Sequence, residues 1–311
     1  METASTESRA WLARIWDSDV FYSFRRSPVT IAAAVVALLC VGGALSAPWI
    51  APHNPFDMAA INLMDSLVPP FWTSQGKLTY LLGTDNQGRD VLSAILYGAR
   101  ISLGVGVAAV LLSMVLGVGL GLLSGYAGGR TDAIIMRIAD VQLSFPAILI
   151  ALLIDGVAHV VLPRGSYGSI AVYVLVFAIA ISGWVQYART VRGSTLVEKS
   201  KEYVQAARVI GRRPAAIMLD HLLPNVMGPV LVIATIHIAT AIITEATLSF
   251  LGVGMPPTTP SLGTLIRVGN DFLFSGEWWV AVFPGLALVV LVLSVNLLGD
   301  WLHDALNPKL R

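Results

Sequence analysis

The sequence predicts an all-α polytopic membrane protein with six transmembrane helices, and three observations predict it. Of 311 residues, 56% are apolar (AVILMFWYC) and 13% charged, with a mean hydropathy of +0.74, which leaves too little polar surface for a soluble globule. The apolar residues stand in long blocks rather than short alternations, and about 20 such residues are needed to cross ~30 Å of hydrocarbon. Basic residues gather on alternate sides of those blocks: with the N-terminus inside, only Lys77, Arg89, Arg100, Arg164 and Arg267 of the 20 lysines and arginines fall outside. That bias places both termini in the cytoplasm. Net charge is +1, so no positive field is available to hold nucleic acid. The single cysteine, Cys40, excludes an intrachain disulfide and reads as packing.

Before the first span, Trp11, Leu12, Ile15 and Trp16 recur at helical spacing beside Arg9 and Arg14, so residues 1–26 read as a surface helix and its flank. Span one is Ser27 to Ala51, too long for a signal-peptide core, and is expected to remain as an anchor. Residues 52–100 carry Pro52, Pro55, Pro69 and Pro70 and form an extended outer loop ending in a compact polar stretch.

Span two, Ile101 to Gly129, repeats Gly117, Gly121, Gly125 and Gly129 with Ser113 one turn earlier. That small-residue ridge admits a neighbouring helix backbone to backbone. Span three is short unless it begins near Ala133 and includes Arg137 and Asp140, which either pair with each other or line a polar passage. Span four is Gly165 to Ala188 and span six Trp278 to Gly299. Span five, Gly228 to Leu251, carries His237 and Glu245 two turns apart. They read as a pathway-facing polar stripe, with a proton relay as the alternative.

Between spans four and five, the inner loop 189–225 holds Tyr203, Ala206, Ala207 and Ile210 on one helical face, then Gly211 as a stop and Pro214 as a start. Two short helices meeting at a bend, one with an apolar stripe, suit a protein partner on the cytoplasmic side. Enzyme signatures fail: the only Gly-Lys pair, Gly76-Lys77, has Phe71 where a phosphate-binding loop needs its first glycine. No His-Glu-x-x-His helix, nucleophile elbow or metal-spaced cluster occurs. The chain is not expected to be an enzyme.

Gln205-Ala206-Ala207, then Gly211, then His221-Leu222-Leu223-Pro224 resembles the EAA loop of permease subunits of bacterial binding-protein-dependent ABC importers. Gln205 stands where those loops often carry Glu, and His221 where many carry Ile. Leu82-Gly83-Thr84-Asp85, Gly88-Arg89-Asp90, Ser93 and Gly98 to Leu103 resemble the entry to span two in "C"-type dipeptide and oligopeptide permeases. So do Ala246 to Gly252, Asn296 to Asp300 and Asp304 to Pro308, while Tyr80-Leu81 departs from the usual His-Pro.

The resemblance implies a type I importer (MetI-like) fold: a surface helix, a peripheral span, a core over residues 101–302 and a cytoplasmic tail 303–311. It implies a bacterial inner-membrane complex with a homologous second permease, two cytoplasmic ATPases and a periplasmic or lipid-anchored binding protein. The ATPases, not this chain, would use ATP and Mg. Glu202, Tyr203, Gln205, Ala206, Ala207, Arg208, Gly211, His221, Leu223 and Pro224 would form the ATPase-coupling loop. Asp140, His237 and Glu245 are the candidate pathway residues, and Asp85, Arg89, Asp90 and Arg100 the candidate contacts for the delivering protein. Peptides are the expected solutes, with nickel chelates, glutathione or opines as alternatives within the family. A secondary transporter is the runner-up, disfavoured because no internal repeat is visible.

Overall fold

The structure is a computed structural model that describes residues 19–57, 61–161 and 167–306. The predicted surface-helix residues Trp11, Leu12, Ile15 and Trp16 lie outside them. Among the described residues the order is α1 (Asp19–Arg26), α2 (Pro28–Leu45), α3 (Val91–Ala127), α4 (Gly129–Leu143), α5 (Ala147–Val161) and α6 (Tyr167–Glu198). It continues with α7 (Glu202–Val209), α8 (Leu223–Phe250), α9 (Leu262–Asn270) and α10 (Trp279–Leu306). Among the described residues five helices are long and apolar enough to cross a membrane, and a sixth crossing requires α4 and α5 together.

The third span departs from expectation: α4 and α5 are bent by 93°. Pro146 supplies the cause, because it lacks an N–H and pushes the residue before it out of helical geometry. α4 is pinned at the break by Gln142, whose amide donates to the Ile181 carbonyl and whose oxygen accepts from Trp184 Nε1 at 2.7 Å. On the far side, Ser182 Oγ, whose proton goes chiefly to Ala178 O at 2.9 Å, also lies 3.2 Å from Ala147 O.

α3 begins ten residues before the predicted span, because Asp90 caps it: the carboxylate accepts from Ser93 N at 2.8 Å and Ser93 Oγ at 2.6 Å. Its glycine ridge packs on α6 in the largest helix contact of the fold. A Cβ at Gly117 would stand 2.5 Å from Trp184 O, and one at Gly121 2.6 Å from Ala188 O. Ser113 Oγ donates to Ala180 O at 3.1 Å. Gly129 is not part of the ridge: it follows Gly128 in a left-handed turn, with open space around both.

Loops at one end, here the loop end, are tied by Arg89 to Pro257 O and by Trp279 to Thr84 O. At the other, the tail end, Lys199 Nζ donates to Gly125 O at 2.7 Å. Phe24 of α1 meets Trp301 of α10 edge-on at 5.2 Å there.

Candidate functional site

At the loop end, the motif residues 82–90 fold inward. Asp85, Arg89 and Asp90 are buried, which corrects their reading as contacts for a delivering protein. Asp85 Oδ1 accepts from Gln87 N and Arg89 N, at 2.8 and 2.9 Å, and Oδ2 accepts from Arg89 Nε at 2.7 Å. Burial of Asp85 and Arg89 is tolerable because the two charges pair with each other, while, among the described residues, the Asp90 carboxylate is held by Ser93 alone. Gly83 and Gly88 take positive φ, with Val68 O and Asn62 O occupying the space a side chain would need. Only Arg100 of that set is exposed, beside Phe56 and Tyr97.

Trp279→Phe would keep the ring packing but strip the 3.1 Å bond to Thr84 O. The expected loss is about 1 kcal/mol, read as a small fall in the thermal midpoint of the purified protein.

Of the three candidate pathway residues, the structure brings none together. Asp140 is exposed and pairs with Arg189 of α6, not with Arg137. Glu245 is 0% exposed, in the angle between α3, α8 and α9. Its Oε2 accepts from Ser102 Oγ at 2.6 Å and its Oε1 from Ser249 Oγ at 2.8 Å. Each serine in turn accepts a backbone amide at 3.3 Å, from Leu262 and Met255. Glu245 therefore holds α9 in place through Ser102 and, being buried, does not share a face with the cavity-lining His237.

His237 does face a cavity. It lines a space of about 370 Å³ between α6 and α8 with Ser182, Gln186, Thr240 and Thr244. Its Nδ1 is 3.0 Å from Tyr187 OH, and the ring rests against Gly183, where a Cβ would lie 2.3 Å from Cε1. Sequence reading missed the companions, though 237, 240 and 244 recur at helical spacing and were legible as one stripe. It also missed the ion pair of Asp132 on α4 with Arg192 on α6, bonded at 2.5 and 2.7 Å, because partners 60 residues apart carry no local signal.

At the tail end, α7 forms where expected and Gly211 closes it at φ +77. Pro214 opens a helical turn running into a wide π turn at Ile217–Leu222, which continues directly as α8. The predicted apolar face is divided. Val204 and Ala207 turn inward onto Ile217 and Leu222. Tyr203 and Ala206 turn outward with Val209 and Ile210, which are 87% and 76% exposed.

Tyr203 OH donates to Glu198 Oε2 at 2.7 Å, and its ring stacks 6.4 Å from His221. Partial burial, and then the Glu198 carboxylate, pushes the phenol up to about 12. Arg208 lies over the Tyr126 ring and Gln205 Nε2 donates to Lys199 O at 3.1 Å. Glu202 and Pro224 are exposed and Leu223 is half-buried.

Residues 117–311 match the family described as "Binding-protein-dependent transport system inner membrane component". Residues 15–70 match "N-terminal TM domain of oligopeptide transport permease C". The chain is 38% identical to the di/tripeptide transport system permease protein DppC of Pseudomonas aeruginosa, over 94% of this chain and 92% of that one. It is 40% identical to the dipeptide permease DppC of Escherichia coli K12, over 94% and 93%. With the oligopeptide permease OppC of Bacillus subtilis it shares 36%, over 96% and 90%. Among solved structures, an inward-facing conformation of the MetNI methionine ABC transporter overlays with a TM-score of 0.53 at 21% identity, covering 69% of this chain and 96% of that chain. That likeness concerns the fold.

Proposed function

The chain belongs to the family of binding-protein-dependent transport system inner-membrane components, and from that premise we propose how it works. It is a multi-pass permease subunit of an ABC importer and contributes to the translocation path. Peptides are its solutes by analogy with relatives named for di-, tri- and oligopeptide transport. A second permease completes the path, two ATPases on the tail-end side hydrolyse ATP with Mg, and a binding protein delivers the solute at the loop end. The termini face the cytoplasm, in accord with the basic-residue bias. This chain holds no cofactor and carries out no hydrolysis.

One observation carries the coupling role: a short helix beyond the membrane spans presents Ala206, Val209 and Ile210 outward, with Tyr203 beside them braced by Glu198 and His221. Small and apolar, that face suits insertion into a groove of another protein. The opposite face, through Ala207, is fastened to the bundle, so force on the helix reaches α8 through the wide turn.

Two tryptophan substitutions test this, because Ala206 and Ala207 are neighbours on opposite sides. Overpacking a close contact typically costs about 1 to 3 kcal/mol, enough to weaken association roughly tenfold or more. Ala206→Trp is expected to leave the chain inserted and paired with the second permease, but to abolish ATPase association and solute-stimulated hydrolysis. Ala207→Trp should instead lower the thermal midpoint of the chain itself. Wild-type transport by the Ala206 variant would rule out docking through this face.

A further inference from the structure

The cavity beside His237 has an unusual lining for a space within apolar spans. Polar side chains at that depth belong against protein or a water-filled passage rather than lipid. None of its lining residues is an Asp, Glu, Lys or Arg. Its hydroxyls are committed: Ser182 Oγ donates to Ala178 O at 2.9 Å, Thr240 Oγ1 to His237 O at 3.0 Å and Thr244 Oγ1 to Thr240 O at 2.8 Å. With their protons engaged on helix carbonyls, these oxygens offer acceptor capacity.

The imidazole is held more firmly. Tyr187 occupies Nδ1, and Gly183 leaves the gap in α6 that admits the ring edge, with Nε2 2.7 Å from where a Cβ would stand; Nε2 is the ring nitrogen that Tyr187 leaves for a further partner. If the tyrosine donates, Nε2 carries a proton and suits a carbonyl; if the ring donates, Nε2 accepts from an amide N–H. A peptide unit supplies both.

We propose that His237, seated on Gly183 and oriented by Tyr187, is a recognition residue for the peptide backbone in the translocation path, and that the uncharged lining makes passage indifferent to side-chain charge. The proposal rests on the permease reading and adds the chemistry by which the path accepts its solute. A neutral hydrogen bond gives a modest preference, which suits a site that must release what it holds.

The test uses the full transporter in proteoliposomes, with cognate binding protein and ATPases, measuring uptake per ATP hydrolysed for alanyl-alanine, alanyl-lysine and alanyl-aspartate. His237→Phe is expected to lower this ratio roughly three- to tenfold, equally for all three. His237→Gln should restore most of it, and Gly183→Ala should reproduce the loss although the imidazole is still present. Thr240→Asp, which introduces a charge, should favour the lysine over the aspartate peptide roughly tenfold.

An unchanged ratio in His237→Phe, or a loss confined to one peptide, overturns the proposal. Should His237→Phe fail to assemble, Thr240→Asp decides, and an unchanged lysine-to-aspartate preference overturns it. The permease reading fails separately, in the wild type, if no dipeptide enters in an ATP-dependent manner.

Discussion

Gly117→Leu is expected to prevent stable assembly of the bundle. The ridge of α3 meets α6 backbone to backbone, and even a methyl at Gly117 would stand 2.5 Å from Trp184 O and from Tyr187 Cβ. A main-chain oxygen cannot swing aside as a side chain does, so α3 and α6 would have to part. Lipid supplies no hydrophobic drive to hold separated helices together, and overpacking of this kind costs about 3 kcal/mol or more. Tyr187 would move with α6 and release His237. The control lies two residues away: a Cβ at Gly119 meets nothing within 4 Å, so Gly119→Leu should be silent. Equal yields and melting points for the two variants in detergent would refute the α3–α6 packing.

Glu245→Leu is expected to unseat α9. Ser102 and Ser249 each receive a backbone amide and pass their own proton to the carboxylate. Removing that acceptor strands two buried hydroxyls, at about 1 to 3 kcal/mol each. Glu245→Gln keeps the volume but turns one oxygen into a donor that faces a serine already donating. Both variants should therefore lower the thermal midpoint, leucine further, and leave the ranking of solutes unaltered. A glutamine variant that melted normally while changing only which solutes pass would return Glu245 to the pathway.

The fold was largely legible because a membrane span is written as one uninterrupted apolar block, and length alone separates it from a core helix. Hydropathy reports the membrane and not the helix, however. α3 extends back to Asp90 through the motif residues, and the signal that locates its start is the Asp90–Ser93 cap. Pro146 was visible, but whether a proline kinks a helix or turns it through 93° depends on what α6 offers beyond it. The bounds of α7 were readable from Gly211 and Pro214, yet which side of an eight-residue helix with a broad apolar face turns inward was not. Glu245 shows the commonest limit. An acid in a span announces itself, but its partner Ser102 is 143 residues away, and only the folded chain distinguishes a brace from a pore lining.

The continuity of α3 has a mechanical consequence. At 1.5 Å per residue, its 37 residues make a rod of roughly 55 Å, longer than the ~40–45 Å of a bilayer with its headgroups. No proline interrupts it between Val91 and Ala127. One tip is set in the loops through Ser93, which accepts from His53 N at 3.1 Å. The other is gripped by Lys199, a few residues ahead of α7. The glycine contact with α6 sits nearer this second tip, and Val105 and Ala109 continue the packing on α6 towards the first. A displacement imposed at the loop end would be carried along one unbroken rod to the foot of α7, with no proline joint between them to absorb the stroke.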